Sequence, residues 1–174
     1  MLKSVDRILV AVNDLDSAEK NYQDVLGAYQ IKDFRSDYLN ANVRRMALGS
    51  SEVELCAASG EGPVKARLEQ FGEGLIRGGV TTSDLNAFHQ YLKDHKVGCV
   101  EADGRLYLES SDLYNLPLVV STEPSESHKR APGPIEFLYE LTMVLRSSWK
   151  DVATAYVDRL GVKREHMENI DNSR

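Results

Sequence analysis

The sequence predicts an α+β fold built from two paired βαβββ modules. A strand-like run at residues 7–12 is followed by a helical pattern that ends at Gly27. Leu15 lies near the start of this helical pattern. The same strand–helix order recurs with Leu85 at the position of Leu15, and it recurs a second time with Trp149 at that position. A unit this small does not bury its own apolar face, so the modules are expected to pair with one another.

The first module is assigned to residues 5–57. Its helix is expected to begin at Asp16 or Ser17, whose side chains suit the free N–H groups of a first turn, and to end at Gly27. Three further strands are expected at 28–34, 43–48 and 52–57, and Gly49 marks a hairpin turn between the last two. The first module therefore has the order β–α–β–β–β.

The second module is assigned to residues 75–122, after a linker helix within the glycine-bounded segment 60–74. It begins with a strand at 76–82 and a helix capped by Asp84. Its other strands are expected at 98–101, 105–109 and 116–121. Residues 1–122 would then form one two-module domain.

A partial third module is expected at the C-terminal end. Residues 123–136 are expected to form a polar, proline-containing linker, and residues 137–174 are expected to hold an apolar strand at 137–145 and a helix at about 148–160. A lone apolar strand exposes an edge, so we expect it to dock on another sheet. That sheet would come from the first two modules, from a second copy in a homodimer, or from a missing C-terminal segment that completes the third module.

Composition narrows the function classes. The 174 residues are 42% hydrophobic and 28% charged, which is typical of globular proteins. The net charge of −6 and the scattered basic residues argue against a nucleic-acid partner, and no apolar run approaches the length of a membrane span. Cys56 and Cys99 lack metal-site spacing and are interpreted as buried free thiols rather than a disulfide. We therefore expect a cytoplasmic protein whose partner is a small molecule.

The run Asp6-Arg-Ile-Leu-Val-Ala-Val-Asn-Asp-Leu15, followed by Tyr22 and Leu26-Gly27, closely resembles the opening of vicinal oxygen chelate proteins. These are the glyoxalase, bleomycin-resistance and extradiol-dioxygenase relatives. The resemblance covers module one well, module two moderately, and the start of a third module again. It implies a cupped sheet that encloses one site. It does not imply one reaction, since the family includes isomerases, epimerases, dioxygenases, thiol transferases and non-catalytic drug binders.

The resemblance also implies where metal ligands would lie, on the first and last strands of each module. These positions hold Arg7, Glu54, Arg77 and Val119 here. A divalent ion in an open catalytic site generally needs three protein ligands, and arginine does not deprotonate to become one. We therefore expect no metal at this position and no other cofactor. A divalent metal held by ligands from atypical positions is the alternative.

Fixed positive charge is expected to replace the metal. Because the repeat gives Arg7 and Arg77 equivalent places, both should point to the same side of the cup. One would pair with Glu54, and the other would bind a carboxylate, enolate or phosphate. Tyr107 would add a phenol to the substrate-binding site. The competing interpretation is a buried structural Arg–Glu network that fills a former metal site.

These residues suggest a metal-independent enzyme of the lyase or isomerase type acting on a small carbonyl-containing or acidic molecule. Arg7 or Arg77 would hold the developing oxyanion, and Glu54 would be the acid–base group. One alternative is a non-catalytic small-molecule binding or resistance protein. A second is a metal-dependent enzyme of the glyoxalase or dioxygenase type.

Overall fold

The computed structural model describes residues 1–122, 130–142, 144 and 146–166. The strands are β1 Leu2–Val12, β2 Tyr29–Ser36, β3 Ala41–Leu48, β4 Ser51–Ala58, β5 Gly74–Thr82, β6 Cys99–Ala102, β7 Arg105–Leu108 and β8 Leu118–Thr122. The helices are α1 Leu15–Leu26, α2 Pro63–Phe71, α3 Leu85–Asp94 and α4 Trp149–Leu160. Apart from the third module's strand, each expected element is present. Strand β1 begins at Leu2 instead of residue 7, and the other bounds agree with the predictions within a few residues.

The eight strands form one curled sheet in the order β2-β3-β4-β1-β5-β8-β7-β6. Strands β1 and β5 pair antiparallel at its centre, where Ile8 lies opposite Gly78. On either side of this pair, β1 runs parallel to β4 and β5 runs parallel to β8. The two modules therefore have equivalent connections around the Ile8–Gly78 pair, and the predicted fold class is confirmed.

The helix ends show how closely local sequence signals apply. The Asp84 carboxylate accepts a hydrogen bond from Ala87 N at 2.8 Å, so the predicted cap of α3 is confirmed. The cap of α1 was expected at Asp16 or Ser17, and this was wrong. Asp14 is the cap, because its extended backbone (φ −137°) lets its carboxylate accept from Ser17 N at 2.8 Å. Gly27 ends the helix in the left-handed conformation, as predicted.

Helices cover both faces of the sheet. On the convex face, α1 packs on module one over a cluster that includes Val10 and Val53, and α3 packs on module two through Phe88 and Leu92. On the concave face, α2 inserts the buried Val64 among apolar strand residues. Because α2 fills this part of the cup, the open part of the concave face lies elsewhere.

The strand expected over Phe137–Leu145 is not formed in the described residues of that stretch. Instead, residues 130–142 lie along the sheet's convex face, where Leu138 joins the module-one cluster and Leu141 packs directly over Gly78. The central strands of the sheet are already paired on both sides. These strands therefore have no free backbone N–H or C=O groups with which another strand could pair. Residues 130–142 pack against their side chains instead and do not form a strand.

Helix α4 docks on module two. Leu160 is buried in the cluster beneath α3, and the Tyr156 hydroxyl donates to Leu113 O at 3.0 Å. The domain boundaries at residues 122 and 137 stay a prediction, since residues 123–129 of the expected linker and 167–174 of the expected third unit lie outside the described residues.

Two other sequence expectations concern thiols and membranes. Both cysteines are free thiols; Cys56 is buried and Cys99 is half-buried. Burial raises the pKa of the Cys56 thiol, which keeps it protonated. In the described parts of the chain, none of the helices is long and apolar enough to cross a membrane.

Candidate functional site

A buried carboxylate surrounded by three arginines forms the polar centre of the concave face. Glu54 on β4 is fully buried. Arg105 holds it with two bonds, Nη1 to Oε2 at 2.8 Å and Nη2 to Oε1 at 2.7 Å. Arg45 Nε donates to Oε1 at 3.1 Å, and Arg7 Nη1 donates to the same oxygen at 3.3 Å. The prediction that Arg7 or Arg77 lies within salt-bridge reach of Glu54 is confirmed by Arg7.

Strand register brings these side chains together. Leu9 lies opposite Glu54 in the parallel β1–β4 pair, so Arg7 and Glu54 point to the same face. Arg45 lies directly opposite Glu54 in the β3–β4 hairpin. Gly79 lies opposite Arg7 on β5, and a Cβ at that glycine would lie 2.0 Å from Arg7 Cγ. A glycine is therefore required for the Arg7 side chain to cross β5.

Further carboxylates balance the charge of the arginines. The Arg7 Nε donates to Asp6 Oδ2 at 2.9 Å. The Glu52 Oε2 atom lies 3.5 Å from both Arg7 Nη1 and Arg45 Nε. Three guanidinium groups therefore share three carboxylates, and this balance is what makes burial of so many charges tolerable.

The arginines also determine the protonation state of Glu54. Burial by itself raises the pKa of a carboxyl group, but hydrogen bonds from Arg105 and the charges of Arg105, Arg7 and Arg45 outweigh it. The pKa of Glu54 is lowered to about 2. Glu54 is therefore an ionised carboxylate at neutral pH, with both oxygens engaged by guanidinium groups.

A cavity of about 450 Å³ opens beside this cluster. Its lining is dominated by cationic side chains from several strands: Arg7, Lys32, Arg35, Arg45 and Arg105, together with Phe34, Asp103, Gly104, Ser121 and Thr122. The buried Glu52 and Glu54 are not among these lining residues. The cavity therefore presents positive charge at its surface, with the balancing carboxylates behind.

Two features of the wall stand out. The Phe34 ring has Lys32, Arg45 and Arg105 within 5.5–5.7 Å of its centroid. Asp103, in the turn between β6 and β7, accepts from the Ser36 hydroxyl at 2.5 Å. This bond connects the module-two hairpin, which contributes Asp103, Gly104 and Arg105 to the cavity lining, to the end of β2.

Arg77 and Tyr107 lie apart from the cavity. Arg77 does not reach Glu54; its Nη1 donates to Leu108 O at 3.1 Å and to Leu118 O at 3.2 Å, and its Nη2 donates to the Tyr38 hydroxyl at 3.0 Å. Tyr107 is fully buried, stacks on Tyr38 at 4.0 Å between ring centroids, and donates its hydroxyl to Asp103. The structure therefore brings together Arg7 and Glu54, but neither Arg77 nor Tyr107, at the cavity.

The family's metal position does not fit an ion in this chain. Its one carboxylate, Glu54, is already bound by three guanidinium groups. The side chains at the other three positions, Arg7, Arg77 and Val119, offer no ligand atoms for a cation. Across the described residues, no three His, Cys, Asp or Glu side chains are grouped so that they could hold a metal ion.

Several cavity residues were not predicted from the sequence. Arg45 had a usable signal, because a hairpin turning at Gly49 places it opposite Glu54. The sequence carries no comparable signal for Arg105 and Lys32, because their positions at the cavity depend on how β7 and β2 curl over the cup. Nothing in the sequence distinguishes Ser121 from other strand serines, because its place at the cavity depends on which residues surround it in the fold.

Comparisons with known proteins agree with this architecture. The model of the Glyoxalase/Bleomycin resistance protein/Dioxygenase superfamily matches residues 6–113, well over half of the chain. No curated protein sequence gives a significant match.

Solved structures also share the fold. Methylmalonyl-CoA epimerase from Mycobacterium tuberculosis is 21% identical over 71% of this chain and 90% of its own, with a TM-score of 0.63. A variant of the Streptomyces coelicolor methylmalonyl-CoA epimerase, in complex with 2-nitronate-propionyl-CoA, is 16% identical over 74% of this chain and 100% of its own, with a TM-score of 0.66. The paired modules, the cupped sheet and the family match lead to one conclusion: this chain belongs to the glyoxalase/bleomycin resistance protein/dioxygenase superfamily.

Proposed function

We propose that this protein is a metal-independent member of the superfamily that binds a small acidic molecule in the arginine-lined cavity. The observation that carries the proposal is the layering of charge. Arg7, Arg45 and Arg105 line the cavity, whereas Glu52 and Glu54 are buried and are not among its lining residues. An entering anion therefore meets guanidinium donors before it meets their carboxylates.

The arginines keep donors available for such a ligand. A guanidinium carries five N–H groups. Arg105 directs two hydrogen bonds to Glu54, and Arg45 directs one bond to the same carboxylate. The remaining N–H groups supply charge-assisted bonds to a carboxylate or phosphate, and the buried carboxylates hold the guanidinium groups in place beforehand.

Anion binding is better supported than a reaction in which Glu54 acts as the acid–base group. A general base works best with a pKa near the operating pH, and the pKa of Glu54 is lowered to about 2. Its oxygens also lie beneath the arginines rather than at the cavity wall. We therefore assign Glu54 as a positioning carboxylate that orients Arg7, Arg45 and Arg105.

An enzyme of the lyase or isomerase type is the second candidate. It is favoured by Asp103, a carboxylate that lines the same cavity as the guanidinium groups. In such an enzyme Asp103 would move the proton, and Arg7 or Arg105 would stabilise the oxyanion. The Streptomyces coelicolor neighbour holds 2-nitronate-propionyl-CoA, which supports an acidic or carbonyl-containing ligand in a cup of this kind.

Two adjacent arginines on β3 provide a matched test. Arg45 lines the cavity with its side chain 15% exposed, and Arg44 is 13% exposed but pairs with Asp33, Asp16 and Glu19 instead. Calorimetric titrations with acetate, malonate and inorganic phosphate would be run on protein dialysed against a chelator. Arg45→Gln should weaken binding of the tightest anion roughly ten-fold, and Arg44→Gln should leave it unchanged.

Equal binding by wild type and Arg45→Gln would contradict the proposed site. Elemental analysis of the undialysed protein provides a second check. We expect less than stoichiometric metal; a stoichiometric ion whose removal abolishes binding would support the metal-dependent alternative instead.

A further inference from the structure

Ser121 on β8 is the feature of the cavity that the cluster around Glu54 does not explain. Ser121 is 7% exposed and lines the cavity, and its Oγ is buried with no hydrogen-bond partner among the described residues. Buried hydroxyl groups are nearly always paired, because an unmade bond costs the full desolvation of the group. Ser121 is therefore a donor without an acceptor, at the wall of a cationic cavity.

Lys32 on β2 is a second donor that the protein leaves available. It forms no ion pair within the described parts of the chain, and its ammonium lies 5.5 Å from the centroid of the Phe34 ring. The guanidinium charges of Arg7, Arg45 and Arg105 are balanced by three carboxylates, those of Asp6, Glu52 and Glu54. Among the described residues, Lys32 is therefore a lining cation without a carboxylate partner.

The donors approach the cavity from different directions. Lys32 comes from β2, Arg45 from β3, Arg7 from β1, Arg105 from β7 and Ser121 from β8. A carboxylate has two oxygens in one plane, whereas a phosphoryl group has three terminal oxygens arranged around a tetrahedral centre and a charge near −2. Donors spread over five strands of a curled sheet match the tetrahedral group better.

We infer that the ligand presents a phosphoryl group to this cavity, with Ser121 and Lys32 as direct contacts beside the arginines. This inference rests on the proposed function and narrows its ligand class. The lining supports a compact and highly polar group, because eight of its ten residues are charged or carry a hydroxyl.

The test compares inorganic phosphate with acetate and malonate, whose acidic groups are planar carboxylates. Calorimetric titration of the wild-type protein should show phosphate binding at least ten-fold more tightly than either. Ser121→Ala should weaken phosphate binding on the order of ten-fold without lowering the melting temperature, because its hydroxyl has no protein partner to lose. Ser83→Ala, at an exposed serine, is the matched control and should bind as the wild type does.

Lys32→Gln should also weaken phosphate binding and reduce its dependence on salt, since one cation is removed from the site. Lys93→Gln, at an exposed lysine on α3, is its control. Phosphate binding that is unaffected by Ser121→Ala would overturn the inference. Carboxylates that bind more tightly than phosphate, with the same sensitivity to Arg45→Gln, would also overturn it while leaving the proposed function standing. If none of the three anions bound, both the phosphoryl inference and the proposed function would be contradicted.

Discussion

Arg7 and Arg77 occupy equivalent positions in the two modules and have different environments. Both lie on the concave face, two residues apart in the antiparallel register of β1 and β5. Arg7 lies opposite Gly79 and reaches Glu54 and the cavity, whereas Arg77 lies opposite Leu9 and donates to two main-chain carbonyls and a tyrosine. One arginine contributes to the site and the other fastens neighbouring strands.

The difference shows that a repeat sets backbone positions but leaves the use of each position to the residue across the strand pair. Gly79 leaves room for the Arg7 side chain to cross β5 toward the carboxylates. Leu9 occupies the corresponding place beside Arg77 and belongs to the apolar cluster of the concave face. The site is therefore asymmetric, and its cations come from both modules through different strands.

Glu54 should show the largest effect, because it is the carboxylate that three arginines share. Glu54→Gln removes the compensating charge from a buried cluster and is expected to cost about 3 to 5 kcal/mol in the free energy of unfolding. Urea titration followed by circular dichroism measures this. The control is Glu61→Gln, at a carboxylate whose side chain is 84% exposed, where the change should stay below about 1 kcal/mol. A small loss at Glu54 would mean that the arginines do not depend on it.

Acid should weaken the same cluster. The pKa of Glu54 in the folded protein, about 2, lies below that of an unfolded chain, so its contribution is fully present above about pH 4.5 and is lost as the pH falls toward 2. The loss is on the order of 3 kcal/mol for this one group. Urea titrations from pH 6 to pH 3 should therefore show a steeper fall for the wild type than for Glu54→Gln. Parallel curves would contradict the assignment.

Gly79 should show a smaller effect that depends on Arg7. Gly79→Ala places a Cβ against Arg7 Cγ and should cost about 1 to 3 kcal/mol by overpacking. In an Arg7→Ala background the same change should cost less, because the clashing side chain is absent. Unfolding measurements on the four proteins of this double-mutant cycle give the coupling directly. Additive losses would mean that Gly79 is needed for backbone reasons instead.

Much of the fold could be predicted because its signals are local. The strand at residues 7–12, the cap at Asp84 and the stop at Gly27 depend on the residues immediately around them. The prediction of a strand at 137–145 was wrong because an apolar segment can pack on the face of a sheet as well as pair at its edge. Which of the two occurs depends on whether the strands beneath are already paired, as they are here.

The site was harder to predict than the fold. Arg7 and Glu54 were predicted from the family's metal positions. Arg45 was not predicted, although the hairpin register places it opposite Glu54. Arg105 and Ser121 come from module two and join the site through the curl of the sheet, which pattern alone does not encode. Arg77 was predicted to lie at the site because of the repeat, but its side chain bonds to Leu108 O, Leu118 O and the Tyr38 hydroxyl instead.

The different roles of Arg7 and Arg77 are tested most directly by comparing Arg7→Lys with Arg77→Lys in a calorimetric titration with inorganic phosphate. Lysine keeps the charge at each position and removes the planar, forked donor set. Arg7→Lys should weaken phosphate binding roughly ten-fold, and Arg77→Lys should bind within about two-fold of the wild type while unfolding at a lower urea concentration. Equal losses of binding, or a larger loss at Arg77, would contradict the claim that only Arg7 of this repeated pair serves the cavity.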